Sequence, residues 1–344
     1  SELILTGEPG DRRLYHIAIG PQDNIPANML LVGDPDRAQK VADCFDGGRI
    51  EGSARHREFV TFWGVYRGVR VAVMGTGIGV DNAEIASVEL HAVHEYDTNT
   101  GEWAKEPPKR RIIRIGTSAS PQADVSIGSV AISDYAIGLD NAGLSYLHHP
   151  KLDDYEDPLG VYYTPDDPTA KAIFDAVRRE IWDATDGVIR PYVSAGTPSV
   201  MHALQQAATE CNPTGGPINA FTGITSSAPG FFGPQGRSIG RLSNIILPDL
   251  QNRLARVSAA TGRRNFLDDA PVDGARTRPT NNEMEASLLF RLNGEILGHD
   301  VGAVCAVIAN RNAGEFVTPE LYERSEQIAI DTALGAMVLL DRAA

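Results

Sequence analysis

Short apolar runs alternate along the chain with stretches whose apolar residues recur at helical spacing. The run "NMLLVG" ends in Gly33 and gives way to a helix predicted from about Asp36. "VRVAVMGTGIG" leads into "NAEIASVELHAVHEY", where Ile85, Val88 and Ala92 share one helical face. "RRIIRIGTSAS" is followed by a further apolar run, "GSVAISDYAIG". "VGAVCAVIANRN" precedes a long C-terminal helix, "PELYERSEQIAIDTALGAMVLLDRAA", striped by Ile330, Leu334, Met337 and Val338. Strands that end in glycine and hand over to helices imply an α/β fold with a mostly parallel sheet covered on both faces. Ligands of such sheets bind beyond the carboxyl ends of the strands. That rule points at "GDPDR", "GTGIG", "GTSAS" and "NRN" together.

Polar, periodicity-poor segments interrupt this pattern near 96–110, 145–160, 193–220 and 241–281, and read as insertions. No repeat and no clean linker divides the chain, so 1–344 is expected to be a single domain. With 45 acidic against 31 basic residues the net charge is -14, which disfavours nucleic acid and anionic membranes as partners. An anionic substrate would therefore need a local cluster of arginines. The three cysteines, Cys44, Cys211 and Cys305, are scattered and form no CxxC, which suits a reducing compartment. No leader-like segment or long apolar span is apparent. The expectation is a soluble cytoplasmic protein.

Several stretches carry possible chemistry, each with a plainer reading beside it. Asp34 before Pro35 has the form of an N-cap followed by proline at the first helical position. A capped helix with no ligand satisfies it. The same turn also presents free backbone N–H groups, and Arg37 adds a fork suited to phosphate. "GTGIG" resembles part of a dinucleotide fingerprint but lacks its full spacing; its glycines are read as allowing close backbone approach. "RHREF" is either a solvated basic turn or an anion contact through Arg57. Arg114, at the end of an apolar strand, needs an anionic partner, which is a structural carboxylate or a ligand. "FFGPQGR" offers Gln235, an amide able to donate and accept, and Arg237, able to stabilise a leaving anion. Its Phe231 and Phe232 are either loop anchors or a stacking surface. Glu283 and Glu285 suit a helix N-terminus, and a carboxylate near a cleft also suits the hydroxyls of a ribose.

In this order, "YHIAIG", "GDPDR", "RHREF", "GTGIG", "RIGT", "PQGR", "NEMEAS" and "VIANR" resemble the nucleoside phosphorylase-I family, in particular its uridine phosphorylases. The resemblance runs from about Leu14 to the C terminus. It implies a three-layer sandwich around a mixed, mostly parallel twisted sheet. It further implies a phosphate pocket of Gly33, Arg37, Arg114 and Thr117, completed by Arg57 of a neighbouring subunit. Ribose would lie over Met284 with Glu285 on its hydroxyls and a neighbour's His16 on the 5′-hydroxyl. Gln235 and Arg237 would read the uracil edge beside Phe231 or Phe232, with Glu283 and Arg311 at the base end. Arg37, Arg114, Arg237 and Glu285 are the implied catalytic residues.

Inorganic phosphate would serve as co-substrate, with no metal or organic cofactor. A monovalent cation at a subunit interface near Glu58 is possible in the family, although Asn82 replaces the usual serine ligand. The purine enzymes of the family carry an aspartate after the strand that here reads "VIANRN"; Asn310 and Arg311 stand there instead and favour a pyrimidine. Ser118-Ala119, following "RIGT", departs from the family's pattern and crowds the base. The implied reaction is uridine plus phosphate to uracil plus ribose 1-phosphate, in a homo-oligomer, dimer or trimer of dimers, with shared sites. A purine nucleoside phosphorylase, a hydrolytic nucleosidase, a non-catalytic nucleoside-binding relative and a Rossmann dehydrogenase are the alternatives. Arg114→Ala is expected to abolish phosphate-dependent turnover while leaving the chain folded.

Overall fold

The structure is a computed structural model that describes residues 2–146, 167–211, 219–261 and 274–343. Its main sheet has eleven strands among the described residues. In chain order these are β1 (Asn28–Val32), β2 (Ile50–His56), β3 (Phe59–Tyr66), β4 (Val69–Gly75), β5 (Arg111–Ser120) and β6 (Val130–Gly138). They continue with β7 (Tyr192–Ala195), β8 (Ala220–Ser227), β9 (Pro279–Glu283), β10 (Asp300–Asn310) and β11 (Glu315–Phe316). The helices are α1 (Pro35–Asp43), α2 (Val80–Glu95), α3 (Pro168–Val177), α4 (Pro198–Cys211), α5 (Leu250–Arg256), α6 (Ala286–Leu289) and α7 (Pro319–Arg342).

Side chains that alternate along a strand enter opposite layers, and this builds the sandwich. Leu30 and Val32 pack with Ala38, Val41, Leu334 and Met337 of α1 and α7. Met29 and Leu31 point the other way, into a second core with Ala83, Ala86 and Leu90 of α2 and Leu288 and Leu289 of α6. The expected α/β architecture, with helices on both faces, is therefore present. No helix among the described residues is long and apolar enough to cross a membrane.

The sheet is more mixed than the alternation of strands and helices implies. Parallel ladders join β1 to β4 and β5, β5 to β10, β6 to β8 and β8 to β9. The hairpin run β2–β3–β4 is antiparallel, as are the pairings of β6 with β7 and β10, of β10 with β11, and of β5 with β9. The last of these is one residue pair, Ala119 with Asn282, and it closes β5, β10, β6, β8 and β9 into a ring. Periodicity cannot reveal strand direction, because an inward-facing strand reads the same either way.

The described part of 193–220 includes a core helix. This is α4, whose Val200, Leu204 and Ala207 lie in the first core beside α7. The stretch at 96–110 carries a short ribbon of Tyr96–Asp97 with Glu102–Trp103. Most of 145–160, and residues 262–273 within 241–281, lie outside the described residues. The described part of 241–281 contains α5, whose Leu250 and Leu254 join a third core under α3.

Candidate active site

A cavity of about 910 Å³ opens beyond the carboxyl ends of β1, β4, β5, β9 and β10. Gly33, Arg37, Thr117, Gln235, Met284 and Arg311 all contribute to its wall. The strand-end rule and the motif order therefore converge on one place.

At the end of β1 the helix begins as the sequence implies. The Asp34 side chain accepts from the Asp36 amide at 2.9 Å, with Pro35 at the first helical position. This aims Arg37 into the molecule, where it is buried. Its Nε donates to Glu326 Oε1 at 2.7 Å. Its two terminal nitrogens reach the Ile115 carbonyl at 3.4 Å and the Tyr322 hydroxyl at 3.5 Å. Lys40 Nζ donates to the other Glu326 oxygen at 2.6 Å. Burial would raise the Glu326 carboxyl, but the hydrogen bonds from Lys40 and Arg37 hold it below its ordinary value.

Arg114, in the middle of β5, has structural carboxylates as partners. Its Nε donates to Glu283 Oε2 at 2.6 Å, and its Nη2 donates to Glu285 Oε2. Glu283 also accepts from the Ser227 hydroxyl and from the amides of Glu285 and Ala286 at 2.9–3.1 Å. It thus holds the start of α6 as well as the arginine. Burial alone would raise Glu283; Arg114 and these hydrogen bonds overturn that and hold it below the usual carboxylate range. Glu285 goes the other way. Burial, opposed by Arg114 and reinforced by the charge of Glu283, pushes it up to about 7. Its other oxygen accepts from the Gly79 amide at 2.6 Å. Gly79 has φ +105°, a conformation that L side chains rarely adopt, so the glycine of "GTGIG" is needed for this contact. Gly116 serves a different purpose: a Cβ there would lie 2.8 Å from Cys305 Sγ and 3.0 Å from Arg114 Nη2.

The opposite end of the cavity is rich in donors. Gln235 is buried, and its Oε1 accepts from Arg311 Nη2. An arginine can only donate, so this contact orients the amide and leaves Gln235 Nε2 as a further donor. Arg311 also reaches the Gln235 carbonyl at 3.3 Å. Burial, with the nearby charge of Arg237, lowers Arg311 to about 10. Arg237 lies over the Phe231 ring at 4.5 Å and over Phe232 at 5.3 Å. Phe231 lines the main cavity, whereas Phe232 lines a neighbouring hollow of about 260 Å³ with Ile239, Leu242 and Ile245. Glu283 sits at the Arg114 end, tied to it and to α6, rather than beside Gln235. Asn310 lines the wall, but its amide nitrogen donates to the Gln122 and Val125 carbonyls at 2.8 and 2.9 Å.

Besides Phe232, two of the expected residues lie outside this chain's cavity. His16 and Arg57 instead share a surface with Tyr15, whose hydroxyl accepts from Arg57 at 2.8 Å. His16 Nδ1 meets Glu89 Oε1 at 2.6 Å, and Glu89 also accepts the amides of His16 and Ile17. Glu58, next in sequence to Arg57, does line the cavity, together with Asn82. The sequence reading passed over Glu89, Tyr322 and Glu326. Each is one acid or phenol in a helix, and only the fold brings it to a histidine or an arginine. It also passed over His91, Glu95 and His299, whose ligand-type atoms lie within 4.8 Å of one another. The buried Arg110 donates to His299 Nε2 at 3.0 and 2.6 Å, so a guanidinium already supplies the positive charge of that cluster.

A family model described as "Phosphorylase superfamily" matches residues 29–338. The chain is 29% identical over 304 residues to a uridine phosphorylase of Thermococcus kodakarensis, covering 88% of this chain and 79% of that one. It is 35% identical over 115 residues to a purine nucleoside phosphorylase of Geobacillus, covering 33% of this chain and 42% of the relative. Among solved structures, a Trypanosoma brucei nucleoside phosphorylase, described as showing uridine phosphorylase activity, superposes with a TM-score of 0.83 at 27% identity. That superposition covers 98% of this chain and 100% of the other.

Proposed function

The chain belongs to the phosphorylase superfamily, and on that premise we propose that it cleaves uridine with inorganic phosphate to give uracil and ribose 1-phosphate. Similarity to nucleoside phosphorylases supports the reaction class. The donor-rich base end is the observation that carries the choice of base. Gln235 Nε2, Arg237 and Arg311 all present N–H groups. Uracil offers two carbonyl oxygens to such a surface and leaves as an anion that guanidinium groups stabilise. Adenine would bring an amino donor against donors, and its departure is helped by an acid that the Gln235 end does not supply.

In this reading phosphate lies against Gly33, Arg37 and Thr117, close to Arg114. Held there, it meets the anomeric carbon as an intramolecular partner rather than a diffusing one. The ribose lies over Met284, and Glu285 accepts its hydroxyls while ionised. As positive charge develops on the ribosyl ring, this carboxylate lies near enough to favour it. The bond to the base breaks toward Arg237 and Arg311. No proton is needed at the base if the uracil anion is held this way. Arg57 and His16 do not line the cavity of their own chain, which fits a dimer in which each completes the neighbour's site.

The test is a nucleoside panel assayed with and without phosphate. Uracil release from uridine that requires phosphate, well above base release from adenosine or inosine, is the expected result. Faster turnover of a purine nucleoside would establish the purine reading instead. Equal turnover without phosphate would establish a hydrolase.

A further inference from the structure

Arg37 has to present its guanidinium to a ligand from the first turn of a helix, across the carboxyl ends of the sheet's strands. Nothing on α1 itself holds it there. Its contacts come from α7, more than 280 positions away in the chain, and from the carbonyl of Ile115 on β5. Glu326 and Tyr322 stand one turn apart on α7 and therefore share a face. Glu326 takes Nε, and Tyr322 approaches Nη2 while donating to the same Glu326 oxygen at 3.3 Å. A guanidinium has five N–H donors in a planar fork. With Nε on Glu326, one terminal donor on Tyr322 and one on Ile115, a donor remains on each terminal nitrogen. Those two are the pair that matches phosphate oxygens. Arg37 and Tyr322 both line the cavity.

We propose that Glu326, braced by Tyr322 and Lys40, is the positioning residue that fixes the Arg37 guanidinium for phosphate. This rests on the phosphate role given to Arg37 above. Glu326 does not touch phosphate; it acts through the arginine. The same carboxylate also places a negative charge near an anion site, and that makes the sign of the effect diagnostic. If charge alone mattered, removing Glu326 would tighten phosphate binding. If position matters, removing it loosens phosphate although a negative charge has gone.

Calorimetric titration of the full-length protein with inorganic phosphate decides between them, for the wild type and for Glu326→Gln, Glu326→Asp and Glu326→Ala. Gln retains an acceptor for Arg37 Nε without the charge, so its affinity should stay within about threefold of wild type or be tighter. Asp retains the charge but withdraws the acceptor by one methylene, and Ala removes both; each should weaken phosphate about tenfold, since a displacement near 1 Å is costly in such sites. Gln is close to isosteric and keeps the test open if Ala does not fold. The steady-state KM for phosphate should follow the same order, with the KM for nucleoside unchanged. Asp matching wild type, or Ala binding more tightly, overturns the proposal. A wild type that binds phosphate but does not release uracil refutes the enzymatic reading alone, and the variant affinities then still judge Glu326. A wild type that does not bind phosphate overturns both.

Discussion

Arg114→Ala is the perturbation whose consequence the structure changes most. Read from sequence, the substitution removes a phosphate contact and leaves the fold intact. In the structure it also strips the shared counter-charge from Glu283 and Glu285, both buried. Removing one partner of a buried ion pair costs about 3–5 kcal/mol, because the charge left behind is neither solvated nor paired. For 344 residues, an unfolding entropy of about 2.1 cal/mol/K per residue converts this into a fall in Tm of about 4–7 °C. The loss should depend on pH. Without Arg114, burial raises Glu283 above its unfolded value and Glu285 further above about 7, where it already lies. A carboxyl whose folded pKa is raised stabilises the fold below its unfolded pKa and loses that contribution as pH rises through the folded one. Glu283 changes from a group that is lowered to one that is raised, so the gap between variant and wild type should widen from pH 5.5 to pH 8. Scanning calorimetry in phosphate-free buffer at the two pH values measures it. A Tm gap that is absent, or that narrows with rising pH, would refute the account of Arg114 as the counter-charge of both glutamates.

Three further outcomes are expected. In the proposed role Glu285 accepts ribose hydroxyls best when ionised, and burial pushes its carboxyl up to about 7, so kcat/KM for uridine should rise between pH 6 and pH 8 and level off above; a profile flat through neutral pH would contradict that role. Glu285→Gln, which loses charged acceptance of the ribose hydroxyls, should cost about 1.5–3 kcal/mol in kcat/KM and remove the rise through pH 7, as measured in initial-rate assays. Arg57→Ala and Glu285→Gln should each impair turnover alone, yet a co-expressed mixture should regain activity through heterodimers that carry one intact site; no recovery in the purified mixed dimer would mean that Arg57 serves no neighbouring site.

Much of the fold follows from local pattern. The apolar run 28–32 before Gly33, the Asp34-Pro35 helix start and the stripe of the C-terminal helix each depend on residues a few positions apart, and each stands where periodicity puts it. That the glycines of "GTGIG" allow a close backbone approach could be anticipated, though Glu285 as the partner of the Gly79 amide could not. The helix within 193–220 was not legible because its small residues, Ala203, Ala207 and Ala208, make a weak stripe; they are buried because α7 packs closely against them.

By itself, then, the sequence determined the strand–helix alternation, the family, and the candidate residues that converge on the strand-end cavity. These are matters of short-range spacing and residue chemistry. The tertiary structure alone decided which charges neutralise one another. Arg114 is held by Glu283 and Glu285 across 169 and 171 positions, and Arg37 by Glu326 across 289. Coulomb attraction and hydrogen bonding act over a few ångströms of space whatever the separation along the chain. A solitary glutamate in a helix therefore carries no mark of the arginine it will meet until the fold brings the two together.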